Sequence, residues 1–310
     1  MTHTFVQSEL ESPSGANLYL YSRMPDGRVR ATVQIAHGLA EHGGRYRRFA
    51  KALSAHGFSV FVHDQRGHGK TTAPDVKQGV FARKDGWVKV MEDMRAVNAH
   101  IRHRDPDMPV LVFGHSMGSI AALNFAIRHP EAVDGLACWN TGIETGPRAR
   151  IARAIVATEA VLRGRQKPSA VARSLTFETF NREFRPNRTK FDWLSRDTEE
   201  VDAYVADPDC GFDASTGLWM DLLEGIFYAD ETAHLARLHK ALPTHILGGA
   251  ADPCSTFGKD MRALAHRMEH NGMTDVTLSI LEDTRHESLF EINREETMAS
   301  FIAWLEQRFP

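Results

Sequence analysis

The chain is poor in cysteine and lacks any long apolar run. Its three cysteines are an odd number at wide spacing, which excludes a disulfide framework and a zinc site built from paired CxxC motifs. About 18 uninterrupted apolar residues occur nowhere, and the N-terminal MTHTFVQSELESPSG has no basic start followed by an apolar stretch. We therefore expect a cytoplasmic protein with free thiols, no membrane-spanning helix and no cofactor.

A strong net charge is missing as well. The 310 residues carry a formal net charge of -3, whereas nucleic-acid-binding domains are usually strongly basic, so we expect no nucleic-acid partner. Hydrophobic residues at 42% and charged residues at 25% are ordinary globular values, and a sizeable core can form. The length suits one core that carries an insertion.

Short β-rich runs alternate with helix-like stretches from residue 31 to about residue 142, which is typical of a mostly parallel sheet with helices on both faces. The strand candidates there are ATVQIAH, FSVFVHD, PVLVFGH and GLACWN. Two edge strands precede them in SELESPSGANLYLYSRMP, and two more follow in THILGGAADP and DVTLSIL. The predicted fold is therefore α/β, with a mostly parallel eight-stranded sheet flanked by helices.

Residues 143–230 show no strand-like alternation, only helix-like segments broken by proline and glycine. We predict a helical cap there, inserted into an α/β core formed by residues 1–142 and 231–310. The cap carries many large apolar side chains, which either line an acyl pocket or form the cap's own core, and we expect them to divide between the two roles. These residues are Phe177, Phe180, Phe184, Trp193, Trp219, Leu222, Leu223, Phe227 and Tyr228.

The first part of the cap is basic. From residue 147 to residue 190, eleven lysines and arginines stand against three glutamates. The segment IARAIVATEAVLRG places Ile151, Ile155 and Leu162 on one helical face. A basic amphipathic helix suggests peripheral contact with an anionic membrane surface. The alternative is that the acidic stretch FDWLSRDTEEVDAYVADPD, which follows, pairs with the basic one.

The strongest chemical signal is GHSMG, with Ser116 between Gly114 and Gly118. It follows the apolar strand PVLVF and opens the helix SIAALNFAIRH, which is the context of a nucleophile elbow. A sharp strand-to-helix turn lifts the serine hydroxyl above the sheet, and the helix N-terminus faces the developing oxyanion. We predict that Ser116 is a catalytic nucleophile.

A serine hydroxyl needs an adjacent base, and in such a fold the acid and then the histidine follow the serine along the chain. His286 comes just after the last predicted strand, at the carboxyl edge where site residues gather. Asp252 ends the preceding strand and is followed by a proline. We predict that Asp252 orients His286, with Asp283 as the rival acid.

The loop HGLAEHGGRY follows the third strand and is the expected oxyanion loop. Leu39 and Met117 are the predicted backbone donors. Glu41 and Arg45 either bind the hydroxyl groups of a substrate or form a local ion pair. We expect no metal site from the histidines of this loop, because closely spaced third ligands are absent.

The motifs HGLAEHGGRY, DQRGHGKT, GHSMGS, GGAADP and TRHESLFE, in that order, resemble the monoacylglycerol lipase and lysophospholipase group of α/β-hydrolases, often called serine aminopeptidase-type hydrolases. The resemblance covers almost the whole chain and implies the same triad and oxyanion donors. Relatives often have glycine as the second residue after the HG pair, where this chain has Ala40. That departure is expected to stiffen the loop.

We predict a serine carboxylic-ester hydrolase that acts on a small-molecule single-chain acyl ester, such as a monoacylglycerol or lysophospholipid, through an acyl-serine intermediate. An aminopeptidase-type amide hydrolase is an alternative, with Glu144, Glu178 or an acid from residues 192–209 as the anchor for a substrate amine. An acyltransferase is a third reading. A non-catalytic binding protein is disfavoured, because it needs no complete set of nucleophile, base, acid and oxyanion loop. The sequence leaves the oligomeric state open.

Overall fold

The computed structural model describes residues 5–143 and 145–310 and contains one eight-stranded sheet. Its strands, in chain order, are β1 (Val6–Glu11), β2 (Asn17–Arg23), β3 (Ala31–Ala36), β4 (Phe58–His63), β5 (Val110–His115), β6 (Gly135–Trp139), β7 (Thr244–Gly249) and β8 (Val276–Leu281). They lie in the order β1-β2-β4-β3-β5-β6-β7-β8. Only the β1–β2 and β2–β4 pairs are antiparallel, which confirms the predicted mostly parallel sheet.

The central strands are covered on both faces. Every residue of β3, β4 and β5 is buried, as their continuous apolar runs predict for a parallel sheet between two helical layers. One layer contains α1 (Arg47–Ala55) and α11 (Arg294–Arg308), and the other contains α2 (Gly86–Arg104), α3 (Met117–Arg128) and α10 (Lys259–His270). This packing fixes the carboxyl edge of the sheet, where β5, β7 and β8 end.

In the described residues, six α-helices lie between β6 and β7. They are α4 (Pro147–Arg163), α5 (Ala170–Leu175), α6 (Phe177–Arg182), α7 (Thr198–Ala206), α8 (Thr216–Asp230) and α9 (Thr232–Leu235). The long α8 packs against α2, α3 and α4 and so joins this helical segment to the core. In the described part of the chain, no helix is long and apolar enough to cross a membrane.

Candidate active site

Ser116 occupies a strained turn between β5 and α3. Its φ of 53° and ψ of -120° lie outside the regions that most L-residues adopt. A side chain at Gly114 would collide with the backbone of Gly118, and one at Gly118 would collide with the Ala36 carbonyl. The two glycines therefore allow the tight turn that holds the Ser116 hydroxyl above the sheet edge, as the GHSMG motif predicts.

The structure places Ser116, His286 and Asp252 in one hydrogen-bonded relay. His286 lies in the loop after β8, and its Nε2 is 2.9 Å from the Ser116 Oγ. Its Nδ1 is 3.0 Å from the Asp252 Oδ1, which also accepts from the Cys254 N–H. Because a carboxylate accepts from Nδ1–H, Nε2 is left to accept the serine proton. The rival Asp283 is exposed in a turn.

The environment keeps Asp252 ionised. Complete burial raises the pKa of its carboxyl, but the charge of His286 and the hydrogen bonds that Asp252 accepts outweigh burial. The net pKa lies below the usual value for aspartate. A charged Asp252 is the state that can orient His286 and stabilise its imidazolium.

The predicted oxyanion loop lies against the nucleophile. Leu39 and Met117 line the same cavity as Ser116, and a side chain at Gly38 would lie 3.4 Å from the Ser116 Cβ. Ala40 adopts a left-handed φ of 57°, a conformation that glycine would adopt more easily. Two donors hold its carbonyl, the N–H of Gly211 at 2.9 Å and the hydroxyl of Tyr204 at 2.8 Å.

Glu41 and Arg45 form a buried ionic cluster with Glu287, a residue that the sequence analysis missed. Arg45 is 2.6 Å from a Glu41 oxygen and makes two contacts with Glu287, at 2.6 and 2.8 Å. Glu41 also accepts the N–H of Gly38 at 2.6 Å. The cluster thus links the oxyanion loop to Glu287, the residue that follows His286. The only sequence signal for Glu287 is its position beside His286.

Electrostatics favours the charged forms in this cluster. Burial raises the pKa of Glu41, but Arg45 and His115 bring it well below its usual value. Burial lowers the pKa of Arg45, but Glu287 and Glu41 raise it well above its usual value. His115 lies 3.4 Å from Glu41 and donates from Nε2 to the His286 carbonyl at 3.0 Å. Although burial lowers the pKa of His115, Glu41 raises it more.

A largely apolar cavity of about 320 Å³ opens beside Ser116. Among the large apolar residues predicted for the cap, six line it: Phe177, Phe180, Trp193, Trp219, Leu222 and Leu223. Phe184, Phe227 and Tyr228 instead lie under the guanidinium groups of Arg285, Arg153 and Arg128, respectively. Six of the nine side chains therefore line the cavity, and the other three do not. Cys254 and Asp260 also line the cavity.

A second, much smaller pocket of about 20 Å³ also has Ser116 in its wall, and we call it the polar pocket. Glu41, Glu287, His115 and His286 form its polar wall, and aromatic side chains contribute the rest. The residues that line it are Gly38, Leu39, Glu41, His115, Ser116, Phe177, Phe191, Trp193, Leu194, Tyr204, His286 and Glu287. Ser116 therefore lines both the apolar cavity and the polar pocket.

Metal-ligating side chains come together at His42, Asp207 and Cys210. The His42 Nδ1 accepts the Gly44 N–H at 3.2 Å, so the proton is on Nε2, which donates to Asp207 at 3.0 Å. Neither ring nitrogen of this tautomer offers a free lone pair to a metal. We interpret the cluster as a hydrogen-bonded contact between the oxyanion loop and the segment before α8.

Among the described residues, the acids considered as amine anchors do not line the cavity beside Ser116. Glu178 is exposed and pairs with Arg173 at 3.1 Å. Within residues 192–209, Asp192 caps a turn at Thr189, Asp197 pairs with Arg294, and Asp207 pairs with His42. Glu144 lies outside the described residues.

Comparisons with known proteins agree with this architecture. A family model described as serine aminopeptidase, S33, matches residues 27–293. A monoacylglycerol lipase of Mycolicibacterium smegmatis is 30% identical over 59% of this chain and 58% of its own length. A monoglyceride lipase of Mus musculus is 27% identical over 86% of this chain and 80% of its own length. A carboxyl esterase from Bacillus coagulans, solved with glycerol, has the same fold, with a TM-score of 0.90, 23% identity and complete coverage of both chains.

Proposed function

The chain belongs to the serine aminopeptidase S33 family of α/β-hydrolases, and we propose that it hydrolyses monoacylglycerol-type esters through an acyl-serine intermediate. The observation that carries the proposal is the hydrogen-bonded chain from Ser116 through His286 to Asp252, with Ser116 in the wall of both the apolar cavity and the polar pocket. The relatives named monoglyceride lipase support the same class of substrate.

In the proposed acylation step, His286 Nε2 removes the Ser116 proton while Oγ attacks the ester carbonyl. The backbone N–H groups of Leu39 and Met117 stabilise the oxyanion, and Asp252 stabilises the imidazolium. His286 then protonates the leaving alcohol. In deacylation a water molecule attacks the acyl group, gives its proton to His286 and releases the fatty acid and Ser116.

The charges around the polar pocket favour a neutral head group. Two carboxylates, Glu41 and Glu287, face one guanidinium, Arg45. Glu41 also faces His115, whose pKa it raises, so the carboxylates already hold the nearby cationic groups and leave none free to bind a phosphate group. We therefore place monoacylglycerols ahead of lysophospholipids. In this proposal residues 143–230 act as the cap that supplies the apolar wall.

We further propose that α4 contacts an anionic membrane surface. Val156 of this helix is buried, but the three apolar side chains that the sequence places on one face are not: Ile151 is 61% exposed, Ile155 42% and Leu162 79%. Among the described residues, Arg188 with Asp202 is the one ion pair between the basic 147–190 stretch and the acidic stretch that follows. Arg163, Arg165 and Arg173 pair with other acids, which leaves exposed basic side chains such as Arg150 and Lys167 for anionic lipid headgroups.

A flotation assay tests this contact. The protein is expected to bind vesicles that contain phosphatidylglycerol more strongly than vesicles of phosphatidylcholine alone, and Ile151→Ser with Leu162→Ser should weaken binding. Equal recovery with both vesicles, or binding unchanged in the double variant, would contradict the proposal. We also keep the cytoplasm as the proposed location, with Cys138, Cys210 and Cys254 as free thiols.

A panel of esters with increasing acyl length tests the main proposal. Each methylene group buried in the apolar cavity is worth about 0.8 kcal/mol, or roughly fourfold in kcat/KM. We expect kcat/KM to rise from acetyl to medium-length chains and to level off where the cavity ends. Monoacylglycerols should exceed lysophospholipids and aminoacyl amides of similar size. A kcat/KM that is highest for acetyl esters and falls with each carbon would replace the lipase proposal by a short-chain esterase or an aminopeptidase.

A further inference from the structure

Trp193 lies directly against the proposed general base. Its indole ring is 4.7 Å from the His286 ring, centroid to centroid, at an interplanar angle of 34°. The backbone next to Trp193 is hydrogen-bonded to the loop that carries His286: the N–H of Glu287 donates to the Leu194 carbonyl at 2.8 Å. Phe177 stacks on the indole at 5.5 Å. The ring is therefore fixed in one position in the wall of both the apolar cavity and the polar pocket.

The indole N–H of Trp193 is buried and has no acceptor within the described part of the chain. The three other buried tryptophans behave differently. Trp87 donates to Asn124 at 3.1 Å, Trp139 to His245 at 3.0 Å and Trp304 to Thr277 at 3.0 Å. A buried donor without an acceptor destabilises the free protein, and a ligand oxygen that supplies the acceptor recovers that free energy.

The polar pocket is the place where such an oxygen fits. Its volume of about 20 Å³ accommodates one oxygen-sized group. Glu41 and Glu287 offer acceptors in the pocket wall, and Trp193 offers a donor, which together match a hydroxyl group. Phe177 and Phe191 also line an outer cleft of about 820 Å³, so the polar pocket and this cleft share part of their wall.

We propose that Trp193 determines leaving-group specificity by donating its Nε1–H to a hydroxyl oxygen of the alcohol part of the ester. The inference rests on the proposed ester hydrolysis and adds the chemistry of the leaving group: an alcohol with a second hydroxyl, such as a glycerol, is preferred over a simple alkanol.

Trp193→Phe tests the inference, because phenylalanine keeps an aromatic face towards His286 and removes the donor. For wild type and variant, kcat/KM is measured with the glyceryl ester and the propyl ester of the same fatty acid, which have the same alcohol carbon skeleton. Active sites are counted with a fluorophosphonate probe. The ratio of glyceryl to propyl kcat/KM should fall about tenfold in the variant, the effect of one hydrogen bond, and any loss caused by the smaller ring in the apolar cavity should be the same for both esters. Trp304→Phe, far from Ser116, should keep the wild-type ratio.

Equal losses for both esters in Trp193→Phe would assign the indole a structural role and overturn the inference. If the variant does not fold, the ratio of glyceryl to propyl kcat/KM of the wild type tests the inference. Equal kcat/KM for the two esters overturns the role of Trp193 but leaves the proposed ester hydrolysis intact. Hydrolysis of neither ester by wild type, together with no labelling of Ser116, is a different result, because it removes the proposed function itself.

Discussion

Two buried carboxylates, Asp252 and Asp221, have pKa values that are shifted in opposite directions. At the sheet edge, burial raises the pKa of Asp252, yet His286 and hydrogen bonds bring it below its usual value. In α8, burial raises the pKa of Asp221 to about 6, and its ion pair with Arg165 at 2.8 Å does not compensate. Arg165 is partly exposed, and the Asp221 Oδ2 has no partner among the described residues. The difference is the number of fixed partners, not the depth of burial.

The sheet edge and the helices between β6 and β7 also differ as a whole in how many fixed polar partners their side chains have. At the sheet edge, Glu41 is held by Gly38, Arg45 and Tyr46 at 2.6 to 2.9 Å. The helices between β6 and β7 surround the apolar cavity with side chains such as Phe180 and Trp219, which contribute area rather than directed bonds. Covalent chemistry needs atoms at fixed distances, whereas an acyl chain needs only apolar surface. We therefore expect sheet-edge variants to affect every ester alike and cap variants to change substrate preference or cap stability.

Ser116→Ala gives the largest expected effect. Without the nucleophile, kcat should fall by several powers of ten, on the order of 10⁶, for short and long acyl esters alike. The fold should persist, because alanine fills the same turn with one atom fewer, and thermal unfolding checks this. A variant that retains a tenth of wild-type activity would show that Ser116 is not the nucleophile.

Asp252→Asn should follow, with a loss of about 10⁴ in kcat, because an amide favours the wrong imidazole tautomer. Asp283→Asn is the matched control. Asp283 is exposed and has a φ of 52°, which asparagine tolerates, so near wild-type activity is expected. The reverse pattern, with a large loss at Asp283 and a small one at Asp252, would exchange the two roles.

The sheet edge and the helices between β6 and β7 also differ in how well the sequence predicts their structure. At the sheet edge, GHSMG between a strand and a helix predicts the sharp turn at Ser116, and the six strands from β3 to β8 follow from largely apolar runs. The contact of Arg45 with Glu287 spans 242 positions, and no local pattern encodes it. For α4, periodicity correctly predicted the helix, but the exposure of Ile151 depends on tertiary packing. The unpaired N–H of Trp193 depends on what its neighbours lack, which sequence does not reveal.

Asp221→Asn tests the contrast between Asp252 and Asp221, because the effect of this substitution on the free energy of unfolding should depend on pH. Because the folded-state pKa of Asp221, about 6, exceeds the unfolded value near 4, the native state binds its proton more tightly. The stability from this protonation is complete below about pH 4 and is lost as the pH rises through 6. Wild type should therefore lose about 2 kcal/mol relative to the variant between pH 4 and pH 8.

Denaturant unfolding at several pH values measures this difference. Asp202→Asn, which changes an exposed carboxylate of α7, is the control and should follow wild type across the whole range. A difference between wild type and Asp221→Asn that stays constant from pH 4 to pH 8 would mean that Asp221 does not titrate in this window.

Cys254 connects the two regions, because it lies two residues beyond Asp252 and lines the apolar cavity. Burial, followed by the charges of Asp252 and Asp260, raises the pKa of its thiol well above the usual value, so little thiolate forms and labelling should be slow.

A maleimide attached to the Cys254 thiol occupies cavity volume without touching the Ser116–His286–Asp252 relay. Hydrolysis of a medium-chain ester should fall roughly tenfold, as if about two methylene groups were displaced, while an acetyl ester is nearly unaffected. Kinetics after labelling confirmed by mass spectrometry, with Cys254→Ala as the unlabelled control, measures both substrates. Equal losses for the two esters would show that the label disturbs the sheet edge itself, and full activity on both would place the thiol outside the path of the acyl chain.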